Sequence, residues 1–186
     1  MVHCDKLFLV LLSRLSRRHP RATQTTLTCK EVTGEHSIDY EKVAPAGYKA
    51  LGGVYGYIMQ SGLDDTLVQL VYLRVSQING CAYCLDLHTR DLVKNDVAPE
   101  KLALVQVWHE AGPVFDEREH AALRWAETVT RVAETVIPDN EFQAVSAVFN
   151  DKEIVDLTIA IGLMNAFNRM AIGFRRPPQA ALSSDK

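Results

Sequence analysis

The sequence predicts an all-α helical bundle. Apolar residues recur at helical spacing through most of residues 38–174, and no stretch alternates with the period of a half-buried strand. Cap and breaker residues also divide the chain at short intervals. The 186 residues suit one domain with a tail, and 47% hydrophobic against 23% charged residues is an ordinary globular composition.

Residues 40–60 read as helix in two pieces, broken near Pro45 or at Gly52-Gly53. Asp64 or Asp65 is an N-cap for a helix carrying Leu67, Leu70, Val71 and Val75. Asn79-Gly80 stops it, because both residues tolerate a left-handed backbone. A new helix starts near Cys81 and runs to about Lys94. Pro99-Glu100 opens the next, carrying Leu102, Val105 and Trp108 and ending near Gly112-Pro113. Asp116 and Glu119 form a capping box ahead of Ala122, Trp125, Val129 and Val132. Pro138-Asp139 begins a short helix through Phe142, Val145 and Phe149. Asp151 is expected to cap a long one from Ile154 to about Phe174, stopped by Arg175-Arg176-Pro177-Pro178. Residues 175–186 read as a loose tail.

Residues 1–38 hold six basic and three acidic residues, a balance of +3 that leaves −6 for the remainder of a chain whose net charge is −3. Their apolar run at 7–12 precedes the arginine cluster, the reverse of a secretory signal. The absence of acids from 6–30 fits a transit peptide, but the plainer reading is a poorly ordered extension over 1–37 or an upstream start. Cys4, Cys29, His3 and His19 lie there and receive no chemistry. The longest apolar stretches, residues 7–12 and 157–167, fall short of the roughly 20 that a spanning helix needs. No membrane association is therefore expected, and a cytoplasmic location is. The near-neutral balance offers nothing to nucleic acid. Four cysteines are too few for a secreted disulfide scaffold of this length, and two of them form a CxxC.

That CxxC carries the chemistry. In a helix beginning at Cys81, the residues Cys81, Cys84 and His88 stand at i, i+3 and i+7, on one face and a turn apart. The two sulfurs can then approach to bonding distance, with His88 below Cys84 as a proton acceptor. Free N–H groups at a helix N-terminus stabilise a thiolate, lowering a cysteine pKa from about 8.5 toward neutrality. A thiolate beside a resolving thiol suits peroxide reduction, through sulfenic acid to an internal disulfide. The helix dipole favours Cys81 as the attacking thiol and the i+4 histidine favours Cys84; periodicity does not choose. Competing readings are two inert core thiols, a solvated His88, or a zinc site on Cys81, Cys84 and His88 that lacks a fourth ligand in any second CxxC or HxxxH.

The segment 73–84 followed by His88-Thr89, with Pro45-Ala46-Gly47-Tyr48 before it and Asn165-Ala166-Phe167-Asn168-Arg169 after it, resembles the AhpD-like alkylhydroperoxidases of the carboxymuconolactone decarboxylase superfamily. The likeness runs over about 38–174. It implies an AhpD-like helical bundle that assembles as a homo-oligomer, a trimer or a hexamer. It also implies a peroxidase that uses a Cys81–Cys84 redox disulfide with neither cofactor nor metal. Small hydroperoxides would be the substrate, with a thiol protein or small dithiol as external reductant. By the same resemblance Cys84 is peroxidatic, Cys81 resolves and His88 belongs to a proton relay. Two positions depart from the family pattern. Gln69, twelve before the first cysteine, stands where the best-characterised relay has Glu, and Tyr83 stands where the fullest relay has His. Glutamine orients a water or a thiol but accepts no proton as a carboxylate does, so His88 is the one obvious base left, with Tyr83 or a carboxylate from elsewhere, such as Glu110, as candidates to assist it.

The alternatives are a lactone decarboxylase, which needs acid and base groups and no redox thiols, and a non-catalytic protein whose disulfide switches assembly. Asn165 and Asn168 interrupt an apolar stripe and are expected to tie loops or the active-site helix in place. Trp108, His109 and Glu110 are candidates to line a pocket, His109 and His120 read as solvated, and Trp125 as core or subunit interface.

Overall fold

The computed structural model describes residues 37–182; the N-terminal extension with Cys4, Cys29, His3 and His19 lies outside them, apart from residue 37. The described chain is helical and without strands. Its order is α1 (Tyr40–Val43), α2 (Pro45–Ile58), α3 (Asp65–Asn79), α4 (Ala82–Lys94), α5 (Pro99–Leu104), two 3-10 turns (Val105–Glu110 and Gly112–Val114), α6 (Glu117–Thr130), α7 (Val132–Thr135), α8 (Asp139–Ser146), α9 (Asp151–Gly173) and α10 (Gln179–Leu182).

The bundle is built around α3. Every residue from Leu67 to Ser76 is buried, so this helix has no solvent face and packs against α4, α6 and α9 together. Val68, Val71, Tyr72 and Val75 join Trp125, Leu157, Ile161 and Met164 in one apolar cluster. Leu70 and Leu73 turn the other way, to Leu92, Val105, Phe115 and Leu123. Trp125 is core, its indole N–H donating to Thr158 Oγ1 at 2.9 Å.

The caps are those of the sequence with one shift. Asp64, rather than Asp65, accepts from Leu67 N–H at 2.9 Å, and Asp116 with Glu119 makes the full capping box. The long helix is capped by Asn150, whose side chain accepts from Glu153 N–H, so Asp151 is its first residue and not its cap. The break in the first helical stretch falls at Ala44 before Pro45, and Gly52-Gly53 stay inside α2. The helix opened by Pro99 is shorter than expected: Val107, at φ −127°, breaks it into 3-10 turns. Residues 175–182, expected to be loose, pack back on α4, where the Asp86 carboxylate accepts from the N–H groups of Gln179 and Ala180.

One test separates the two candidate caps. Asn150→Ala should cost about 1 kcal/mol of unfolding free energy and Asp151→Ala less than about 0.5 kcal/mol, read as urea midpoints at constant m-value.

Candidate functional site

The site begins with the reversal between α3 and α4. Gly80 caps α3 at φ 69°, ψ 34°, a left-handed conformation that glycine alone adopts without strain. Cys81 follows in extended backbone as the N-cap of α4. Cysteine is an unusual cap, and its sulfur does what a serine or aspartate oxygen does: Cys81 Sγ accepts from the Cys84 N–H at 3.4 Å. The turn is held from beneath by amides. Asn79 Nδ2 donates to Asn165 Oδ1 at 3.0 Å and to Asn168 Oδ1 at 2.9 Å, and Asn168 Nδ2 donates to Ser76 Oγ at 3.0 Å. Asn165 and Asn168 thus fasten the end of α3, just before the turn, to α9.

The structure pairs Cys81 with Cys84 and His88 with Gln69, and Cys84 and His88 line one cavity. The two cysteines are free thiols with sulfurs 2.6 Å apart, so closing a bond of about 2.05 Å needs only a small side-chain movement. The two thiols share a hydrogen bond across this contact. That hydrogen bond, set against the opposing effect of burial and helped by the Cys84 N–H and the Asn168 amide, brings the Cys81 pKa down to about 7. The same hydrogen bond, with burial and the neighbouring Cys81 charge, pushes the Cys84 thiol up.

His88 is 4% exposed, and its Nδ1 lies 2.9 Å from Gln69 Oε1. A carbonyl oxygen only accepts, so Nδ1 carries the proton and Nε2 keeps its lone pair. Burial, partly offset by Asp91, lowers the imidazole pKa to about 4, and the ring stays neutral at ordinary pH. Gln69 is itself buried, at 3% exposure, and fixes which nitrogen of His88 keeps its lone pair.

Cys84 and His88 open on a cavity of about 310 Å³ that is also lined by Tyr55, Tyr83, Phe167 and Arg176. Arg176 closes one wall. Its guanidinium lies 4.4 Å from the Tyr83 ring centroid, donates to Tyr40 Oη at 2.9 Å and pairs with Glu41. Sequence reasoning read Arg176 only as part of a helix stop and missed the tyrosines of α1 and α2. Tyr40, Tyr48 and Tyr55, seven or eight residues apart, were the available signal.

Other candidates fall elsewhere. Glu110 is an exposed carboxylate 3.7 Å from the His109 imidazole and does not line the cavity, so it does not stand in for the missing Glu. Trp108 and His109 line a separate groove beside Arg124 and Glu127. His120 is half-buried: it packs against the Trp108 and Phe115 rings, with Nε2 3.0 Å from Gly112 O. Among the described residues no three His, Cys, Asp or Glu side chains converge to hold a metal ion, and no helix is long and apolar enough to cross a membrane.

Comparison with known proteins agrees with this fold. The profile of the carboxymuconolactone decarboxylase family matches residues 45–128. The Bacillus subtilis protein YdfG, itself uncharacterised, is 32% identical over 135 residues, covering 73% of this chain and 91% of its own. A solved protein of unknown function from Agrobacterium tumefaciens, suggested to be the antioxidant defence protein AhpD, shares 40% identity and a TM-score of 0.74, over 77% of this chain and 98% of that one. The debrominase Bmp8 shares the fold at a TM-score of 0.65 and 16% identity, over 77% of this chain and 76% of that one. The helical architecture is that of the AhpD-like proteins, and the chain belongs to the carboxymuconolactone decarboxylase family.

Proposed function

We propose that the protein is a thiol peroxidase that reduces hydroperoxides through the Cys81–Cys84 pair. The observation that carries this reading is the 2.6 Å approach of the two sulfurs beside a cavity shared by Cys84 and His88.

Electrostatics favours the thiolate on Cys81, while access to the cavity favours attack by Cys84. A proton passed across the short sulfur–sulfur contact, or to His88 Nε2, frees the Cys84 thiolate and reconciles the two. Cys84 Sγ attacks the terminal peroxide oxygen, the O–O bond breaks, and the alkoxide takes the released proton and leaves as alcohol. Cys81 then attacks the Cys84 sulfenic acid, releasing water and closing the disulfide. An external dithiol returns two electrons and two protons. His88 is base and orienter, Gln69 sets its tautomer, and Tyr83 with Arg176 walls the cavity. A lactone decarboxylase would need none of the sulfur geometry and would keep its turnover in the Cys81→Ser/Cys84→Ser double variant.

Cys84→Ser should abolish peroxide consumption in a coupled assay with dithiothreitol, a loss of at least 10²-fold. Cys81→Ser should complete a single turnover and stop at a sulfenic acid trappable by dimedone and seen by mass spectrometry. Full activity in Cys84→Ser overturns the assignment.

The pH profile follows from the same groups. The reactive form is the thiolate, so kcat/KM for peroxide should rise with pH through about 7. Because His88 stays neutral down to about 4, no histidine inflection should appear near 6.5. Gln69→Glu places a carboxylate at Nδ1, which favours the imidazolium and raises the His88 pKa. The imidazole then titrates well above 4, so a histidine inflection absent from the wild type should appear below the thiolate rise near 7.

A further inference from the structure

The two sulfurs of the pair do not open on the same space. Cys84 lines the cavity with His88, whereas Cys81 lines a second, largely apolar groove of about 400 Å³. This groove runs between the start of α4 (Gly80, Ala82) and the returning C-terminal segment (Ile172, Pro177, Ala181). Tyr83 and Arg176 border both spaces, and their 4.4 Å stack forms the partition. We propose that the pair bridges two chambers, with hydroperoxide admitted at Cys84 and a small dithiol reductant docking in the groove at Cys81. This rests on the peroxidase reading above and adds to it the reductant's own site.

The geometry of disulfide exchange gives the groove its role. A thiolate displaces a disulfide sulfur in line, approaching from the side opposite the leaving sulfur. A nucleophile that splits the bond at Cys81 with Cys84 departing must therefore come from the Cys81 side, and of the two spaces Cys81 lines the groove and not the His88 cavity. Cys81 is 1% exposed, so a folded protein surface does not reach its sulfur, and the occupant is a small molecule whose carbon chain meets the apolar walls. The dithiol's first sulfur bonds to Cys81 Sγ, the Cys81–Cys84 bond breaks, and Cys84 leaves as thiolate and takes up one of the dithiol's protons. The dithiol's second sulfur then attacks the first. Cys81 leaves with the other proton, and the dithiol departs as a cyclic disulfide. The leaving sulfur in this releasing step is Cys81, the one held at the helix N-terminus by the Cys84 N–H. Throughout, the mixed disulfide leaves the His88 cavity clear, so spent alcohol and reductant do not compete for space.

The test measures the half-reactions separately by free-thiol titration in rapid quench. Oxidation uses cumene hydroperoxide on the reduced protein, and reduction uses dithiothreitol on protein oxidised with diamide, so reduction is readable whether or not peroxide is a substrate. Saturating 2-phenyl-2-propanol, the product alcohol, should slow oxidation and leave the rate of reduction within twofold. Ala181→Trp and Ala82→Trp, two exposed positions on opposite sides of the groove, should each slow reduction at least tenfold more than oxidation. The proposal is overturned if the alcohol slows both halves alike, or if both tryptophan variants reduce as fast as wild type. Failure of wild type to oxidise with any hydroperoxide overturns the peroxidase reading instead. A tenfold loss of diamide-disulfide reduction in the tryptophan variants would still mark the groove as the dithiol site.

Discussion

Two antiparallel helices can share a hydrogen-bonded site only if the chain reverses between them within a couple of residues and in a fixed register. Here that reversal is made by Asn79, Gly80 and Cys81. The left-handed backbone at Gly80 ends α3, and the extended backbone at Cys81 starts α4. The register it sets brings Gln69, nearly three turns back along α3, opposite His88, nearly two turns along α4, at 2.9 Å. It also leaves the first N–H groups of α4 facing a sulfur instead of water. Thiolate stabilisation, the histidine tautomer and the separation of the two chambers all descend from this one turn.

The burial that surrounds it gives these contacts their force. A buried imidazole loses its proton easily, and a buried amide must find partners, so Gln69 and His88 satisfy each other where neither could remain unpaired without cost. The amide knot of Asn79, Asn165, Asn168 and Ser76 works the same way from the other side and ties the turn to α9. Glutamine in place of a glutamate has a definite electrostatic consequence here. A carboxylate would draw the imidazole toward its charged form, whereas the neutral amide leaves it a base over the whole physiological range.

Much of this was legible in the sequence, because it rests on local rules. The Asn79-Gly80 stop, the Cys81/Cys84/His88 face and the Asp116 capping box depend on residues within a turn or two of one another. What escaped depends on distant parts of the chain. Gln69 and His88 are nineteen residues apart and meet through tertiary packing. Arg176 joins Glu41 and Tyr40 across the whole described length of the chain, so a basic residue before two prolines looked like a terminator and not a wall. Asn150 displaced Asp151 as a cap because two adjacent residues were both chemically suited, and only backbone geometry chooses between them. The Val107 kink had no breaker residue to announce it.

The α3–α4 turn also bears on how a sequence of this kind can drift. Inserting or deleting one residue at Gly80 would rotate α4 by roughly 100° about its axis, swinging the imidazole off its amide and one sulfur away from the other. Length is consequently frozen there. The cavity walls contributed by α2, the far end of α9 and the C-terminal segment carry no such constraint and are free to vary. Changes of appetite for one small molecule over another should accumulate in those walls, while the sulfur chemistry underneath stays as it is.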